Sequence, residues 1–381
     1  RLNTLEAENA ELRQLSEETI RDVSLSKEQV AMLDKRASAS NWTDSIKLKG
    51  DFRYRYENID EEGKDDRDRN RIRARAHLEA TLPDNVKVGL GVASGGDDPV
   101  STNQTLGGGG STKDLRLDLA YANWQAMEGL NLVGGKYKNI WYRPGKNGLI
   151  FDGDYNPEGV GVTYRNDWFF TNLGGTWLES DTKGANDSYS WGGQLGFRGE
   201  VAGAKVVAGA GYYNFDTEGS EVFHGDNDDF YGNSFACSDP TDPESCVYTI
   251  DYNIVQAFAD VSMNVADMPV NLFVDYVVND DADDNDTGYA VGVKIGKTKA
   301  ARSWQLGYTY QDLEADAVLG LLTDSDFAGG GTDGKGHVLK GKYAVNKQWT
   351  IGMTYFMTET GEAYGFEHDY DRIMIDTQFK Y

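Results

Sequence analysis

From about residue 45 to the last, apolar and polar side chains alternate with a period of two, and a rhythm kept that long leaves the chain little but strand structure. Ile46, Leu48, Phe52, Tyr54 and Tyr56 alternate with Lys47, Lys49, Asp51, Arg53 and Arg55. In the next segment Ile72, Ala74, Ala76, Leu78, Ala80 and Leu82 alternate with Arg71, Arg73, Arg75, His77, Glu79 and Thr81. Each strand therefore has one apolar and one ionic face. A soluble sandwich accommodates any single strand of this kind by turning the ionic face to water, so the choice of fold rests on strand count and spacing.

Sixteen strands are predicted, at about 45–57, 69–82, 85–94, 113–124, 131–138, 157–165, 168–179, 188–199, 203–215, 249–264, 269–279, 286–297, 301–313, 335–345, 347–358 and 369–381. Short connections such as Pro83-Asp84-Asn85 and Asn346-Lys347 alternate with long ones, 58–68, 95–112, 139–156, 216–248, 280–285, 314–334 and 359–368, that are rich in Asp, Gly, Asn and Ser. An even-stranded barrel with tight turns at one rim and long loops at the other produces this alternation. The expected fold is an all-β transmembrane barrel of sixteen antiparallel strands, up-and-down, preceded by an N-terminal α-helical coiled coil. The last strand ends on Phe379 and Tyr381, a terminal aromatic of the kind that the bacterial barrel-assembly machinery recognises.

Composition fits: 45 Gly, 22 Tyr and 8 Trp against 7 Pro and 39% apolar residues is strand-and-turn chemistry. No apolar run reaches the roughly 18 residues of a spanning helix, but a barrel wall shows the bilayer only every second residue, so hydropathy stays low. A net charge of −25 excludes nucleic acid as a partner. Cys237 and Cys246, with eight residues between them in one polar stretch, are too few for a zinc site and are expected to form a loop disulfide in an oxidising compartment.

Residues 1–36 are separate. Leu5, Leu12, Thr19, Ser26 and Leu33 recur every seven residues, and so do Leu2, Asn9, Ser16, Val23 and Val30, together making the a/d seam of a coiled coil. The other reading is a single amphipathic helix lying on another surface. Residues 37–44 are the linker, and 45–381 the barrel. The chain opens at Arg1 inside the helical pattern, so a mature or trimmed product is expected.

Two stretches resemble a family of Gram-negative porins: DPVSTNQTL at 98–106 with the Gly-rich run and strand after it, and GGKYKNIWYRPGKNGLIFDGDYNPEGVGVTY at 134–164. The likeness extends loosely over 45–381, and a leading coiled coil also occurs in such proteins. It implies an outer-membrane pore, assembly as a homotrimer, and a third loop, 139–156, that folds inward to narrow the passage. Asp152, Asp154 and Glu158 would then face the opposite wall and set up a transverse field, with Arg143 and Lys146 to either side. The alternative is a loop that stays outside.

That opposite wall is basic. Lys47, Lys49, Arg53, Arg55, Arg71, Arg73 and Arg75 lie on two adjacent strands, and Arg116, Lys136, Lys138 and Arg198 extend the ladder. Either it lines a conducting, wet lumen, or Asp51, Glu57, Glu79, Asp114 and Asp118 pair with it as structural ion bridges. Asp280, Asp281, Asp283, Asp284 and Asp286 form an acidic outer loop with oxygen ligands suited to Ca²⁺, though without EF-hand spacing; a solvated acidic surface is the alternative. No other cofactor is expected. Further expected partners are the lipid bilayer, lipopolysaccharide and, through a periplasmic coiled coil, peptidoglycan. His77, His224, His337 and His368 are scattered and make no catalytic arrangement, so no enzyme is expected.

Overall fold

The computed structural model describes residues 13–32, 45–180 and 186–381, and the chain divides into two units, 1–47 and 48–381. In the first unit, residues 13–32 form one helix. Its apolar side chains lie open: Ile20 is 67% exposed, Val23 50% and Val30 58%. The remainder of the predicted coiled coil, residues 1–12 and 33–36, and the linker 37–44 lie outside the described residues. Among the described residues no helix is long and apolar enough to cross a membrane.

The second unit is built on a closed antiparallel barrel of sixteen strands. They are β1 Ile46–Glu61, β2 Arg67–Leu82, β3 Val86–Ser94, β4 Leu115–Met127, β5 Leu130–Lys136, β6 Glu158–Arg165, β7 Phe169–Glu179 and β8 Ser188–Val201, followed by β9 Ala204–Phe215, β10 Tyr252–Val265, β11 Met268–Asn279, β12 Thr287–Gly296, β13 Trp304–Leu313, β14 Gly334–Ala344, β15 Trp349–Thr360 and β16 His368–Lys380. Each pairs with the next, and β16 returns to β1 in the register Asp51↔Lys380 to Glu61↔Tyr370, which closes the wall. A two-residue strand, Gln104–Thr105, adds to Arg71 and Ile72 of β2. All sixteen predicted strands are present. The main difference is that β1 runs on to Glu61 and β2 starts at Arg67, which shrinks the predicted 58–68 loop to five residues.

Local chemistry sets the two rims. At one, tight turns place Asp84 and Asn85 (φ 58° and 60°) and Ala266 and Asp267 (φ 49° and 63°) in the left-handed region, as hairpin turns matched to strand twist require. At the other lie the long loops, one of which carries the short ribbon Phe235–Cys237 with Cys246–Tyr248, joined by the expected Cys237–Cys246 disulfide.

Burial along the strands is inverted relative to a soluble protein. Leu78, Leu90, Leu117, Val160, Leu195, Leu272 and Met353 are exposed, while Arg55, Glu57, Arg73, Gln194, Gln256, Asp275 and Arg372 are buried. Such a wall is stable only with an apolar medium outside. Near the turn rim Trp168 stacks on Phe197 and Trp349 on Phe379, with ring centroids 6.0 Å and 5.4 Å apart, part of an interfacial aromatic belt.

Candidate functional site

Charged residues of β1, β2 and β16 point inward and meet one another across the strands. Arg75 pairs with Asp51 at 2.6 Å and Arg73 with the same carboxylate at 3.1 Å. Glu57, fully buried, receives Arg69 at 2.6 Å, Arg71 at 3.6 Å and Arg372. Asp376 receives Arg55 at 2.8 Å and, more loosely, Arg53 at 3.8 Å. A buried charge is tolerated only with a partner, and here Arg53, Arg55, Arg69, Arg71, Arg73 and Arg75 each have one. Arg69 and Arg372 belong to this network and were not singled out in the sequence, although both share the alternating inward face of their strands.

The segment between β5 and β6, residues 137–157, bonds to inward-facing residues right around the wall. Tyr142 Oη and Gly145 N donate to Asp260 on β10, at 3.0 and 2.9 Å. Asn147 Nδ2 donates to Asp275 on β11 at 2.9 Å, and Asp275 in turn accepts from Gln256 at 2.7 Å. Gln194 on β8 accepts from Tyr142 N and donates to Tyr142 O. Gly145 is seated so close to the wall that a Cβ would lie 2.2 Å from the Phe273 ring. On the return, Asp154 pairs with Arg75 at 2.8 Å and Arg73 at 3.3 Å, and Asn156 bonds Asp118 on β4.

The sequence placed Asp152, Asp154 and Glu158 together against the ladder; the structure brings only Asp154 there. Asp152 turns to the loop 314–333, where its N–H donates to Leu322 O at 2.7 Å. Glu158 is the first residue of β6 and pairs with Lys136 at 2.8 Å. The carboxylate taking the second place at the arginines is Asp326, 2.9 Å from both Arg55 and Arg372.

The connection 314–334 is read from the sequence only as one of the long loops rich in Asp, Gly, Asn and Ser. Its residues 315–322 are buried, with Ala317 and Val318 at 0% exposure. They pack with Leu149, Phe151, Tyr213, Phe215, Tyr252, Ile254, Phe273 and Val277 in one apolar cluster. Asn233 holds the loop by donating to Ala315 O and Val318 O and accepting from Gly320 N, and Asp324 N bonds Gly148 O of the other segment. The signal was present in the sequence: Ala317-Val318-Leu319-Gly320-Leu321-Leu322 is an apolar run that the Asp- and Gly-filled loops lack.

Electrostatics differ sharply among the loop carboxyls. Burial pushes Asp152 well above the usual carboxylate range, and Asp324 and Asp154 add repulsion. Burial also opposes the charge on Asp326, yet Arg372, Arg55 and Arg53 together hold it well below that range. Asp154 is held down likewise, by Arg73, Arg75 and Arg53 against its own burial.

The other predicted positions are dispersed. Lys47, Lys49 and Arg198 are exposed and have no ion pair among the described residues, and Arg116 pairs only with Asp114, at 3.4 Å. Lys138 lies within the electrostatic reach of Asp118, Arg75 and Asp154. Arg116, Asp118, Lys136, Asp154 and Glu158 line a cavity of ≈ 400 Å³, and Arg67, Arg69, Arg71 and Arg372 one of ≈ 590 Å³. Asp280, Asp281, Asp283 and Asp284 are exposed, and among the described residues no three His, Cys, Asp or Glu side chains gather in a metal-holding group. His77, His224, His337 and His368 stay apart, as expected from their spacing; His337 and His77 each lie against tyrosines.

A closed sixteen-stranded barrel, apolar outside and ionic within, is the architecture of an outer-membrane channel. The chain belongs to the family described as "Putative porin", whose model matches residues 58–222 and 238–381. Among solved structures it is similar to Pseudomonas putida OprB in its high-pH form, with a TM-score of 0.60 at 13% identity, covering 91% of this chain and 97% of that one. It is also similar to Salmonella typhi OmpF in complex with daunomycin, with a TM-score of 0.51 at 12% identity, over 89% and 99% of the two chains. At such identities the likeness is one of fold. No curated protein sequence matches. Family and fold point to a channel in the outer membrane rather than to an enzyme.

Proposed function

We propose that this protein passes small hydrophilic solutes and ions passively through a water-filled route narrowed by residues 137–157. The observation that carries the reading is the meeting of Asp154 with Arg73 and Arg75: a carboxylate borne by a loop sits against a basic wall inside a closed barrel. Opposed charges across a passage create a transverse field that orders water and sorts solutes by charge and dipole. The bonds of Tyr142, Gly145 and Asn147 to the inward-facing Asp260 and Asp275 support a loop that enters the lumen. Asp326 adds a second acidic contact, so the narrow zone has two loops as its inner wall.

The protein acts as a homotrimer whose N-terminal helices associate in the periplasm. Exposed Ile20, Val23 and Val30 on helix 13–32 support this, because an isolated helix of that length is marginal in water and gains most by covering its apolar stripe. The same helix would carry any tether to peptidoglycan. Lipopolysaccharide at the acidic loop rim, bridged by divalent cations, completes the proposed surroundings.

Planar-bilayer recordings test the channel, with and without residues 1–44. Open, ohmic conductance in both forms is expected, and a barrel that never conducts would leave only the tether. Reversal potential in a salt gradient tests the ladder: neutralising Arg53, Arg55 and Arg73 to Gln should move it toward cation preference. No movement would take these three out of the permeation path.

A further inference from the structure

The inward-facing arginines 53, 55, 69, 71, 73, 75 and 372 each have a carboxylate, but a second group of cations has none among the described residues. Lys294 on β12 and Lys340 on β14 occupy the same row across the sheet, for Gly307 of β13 is the register partner of both. With strands about 4.8 Å apart, the two lysines stand roughly 10 Å from each other over a floor that has no side chain. Gly307 touches them as a notch would: a Cβ there would lie 3.7 Å from Lys294 Cγ and 3.8 Å from Lys340 Cβ. Both lysines share the inward face of buried neighbours, Ala290 and Val338, while Tyr289, Val291 and Leu339 between them face outward. Lys342, one step nearer the turn rim, continues the row.

A fourth lysine arrives from the loop side. Gly145, pinned to Asp260 and accepting a bond from Lys294 Nζ, brings Lys146 to the tip of segment 137–157 with its side chain exposed. The charges act on one another: Lys294 is repelled by Lys340, Lys342 and Lys146, and Lys342 by Lys340, Lys380 and Lys146. The carboxylates facing Lys294 and Lys342, Asp260 and Asp376, already serve Tyr142, Gly145 and Asn271, and Arg55 and Arg53, respectively. Among the described residues none of Lys146, Lys294, Lys340, Lys342 and Lys380 has a salt-bridge partner. Clustered ammonium groups add nothing to fold stability, so their charge is left to be met by something that enters the lumen.

We propose that Lys146, Lys294, Lys340 and Lys342, around the Gly307 notch, form a binding site for a small oxyanion carrying two or more negative charges. Lysine suits that ligand: each ammonium is a compact, strongly hydrated point charge that reads charge density rather than a planar fork. Lys294 and Lys340 are steered by aromatic rings beneath them, Phe273 at 5.6 Å and Phe356 at 5.8 Å. A dianion spans two or more ammoniums at once, which a monovalent anion does not. The site lies toward the turn rim, whereas the loop rim bears Asp226, Asp228, Asp229 and the 280–286 aspartates, so binding is expected to be stronger for anion supplied from the turn side. The inference rests on the channel reading, and names a class of solute for it.

The test uses inorganic pyrophosphate as probe, against the trimer in detergent and in bilayers with potassium chloride. Titration calorimetry should give saturable binding to the intact protein, and pyrophosphate should block chloride current saturably. K146Q/K340Q/K342Q should weaken both by about tenfold or more, each tenfold being ~1.4 kcal/mol. Gly307→Val, whose Cβ would meet only ordinary contacts and whose methyls enter the notch, should weaken them too, while Lys347→Gln in the 345–348 turn should not. Absence of calorimetric binding, or binding equal in the triple variant and the unaltered protein, overturns the proposal whether or not the barrel conducts. Binding without any open current would instead refute the channel reading and leave the site standing.

Discussion

Two arcs of the same wall receive the same two loops by opposite means. On the arc from β8 to β12, contact is mostly apolar: Phe151, Leu319 and Leu321 settle among Tyr213, Tyr252, Ile254, Phe273 and Val277, and buried polar side chains join a hydrogen-bonded chain from Gln194 through Gln256 to Asp275. On the arc of β16, β1 and β2, contact is ionic, through Asp154 and Asp326 to four arginines. The first arc excludes water, since close apolar packing leaves no room for it. The second needs water or partners for every charge, so it is where a hydrated route can persist. On the proposed channel reading, the comparison gives the two loops two jobs, sealing one side of the lumen dry and lining the other.

The largest effect should come from breaking the ionic arc at its most enclosed charge. Glu57 is fully buried among Arg69, Arg71 and Arg372. Glu57→Gln keeps the shape but leaves Arg69 and Arg71 without a carboxylate and Arg372 with Asp326 alone, at a cost of about 3–5 kcal/mol. The temperature at which the folded barrel is lost on heating in detergent should drop accordingly. An unchanged unfolding temperature would mean that this arc is solvated throughout and that the pairs contribute little.

The dry arc should respond less in stability and more in current. Leu319, 1% exposed, is central to the packing of loop 314–333, and Leu319→Ala should cost about 2–3 kcal/mol through the cavity it leaves. A loosened seal should raise single-channel conductance and noise while leaving ion preference where the arginines set it. Reduced stability with identical conductance would show that the apolar arc does not limit the pore.

The two arcs were also unequally legible in the sequence. Strand number, order and inward face followed from alternation, because a one-residue slip would send every charge into lipid, and Arg53, Arg55, Arg71, Arg73 and Arg75 were placed by that rule alone. The partners of those arginines were harder. Asp154 came with a resemblance to known porins, and Asp326 was missed because nothing in the local pattern says that a loop 13 strands along the chain returns to β1. Loop entry is decided by tertiary packing, and its only local trace is the apolar run at 317–322. Lys294, Lys340 and Lys342 sit on correctly read strands, but their grouping depends on register across Gly307, which alternation within single strands does not supply.

The smallest expected effect joins the arcs through pH. Asp152 lies where the two loops meet, its carboxyl raised by burial and by Asp324 and Asp154. A carboxyl whose folded pKa is raised binds its proton more tightly in the folded state, so its contribution to stability is best below that pKa and is lost as pH rises through it. Asp154 and Asp326 are lowered by their arginines, so their contribution is present above the unfolded carboxylate value and is lost as pH falls through the folded one. Stability should therefore peak in mild acid and decline on both sides, with the alkaline limb belonging to Asp152. Asp152→Asn removes the penalty of the charged form, so it should flatten that limb, raise stability modestly at neutral pH and leave the acid limb unchanged. If unfolding temperature against pH keeps both limbs in the variant, the junction of the loops is hydrated and the dry arc ends short of it.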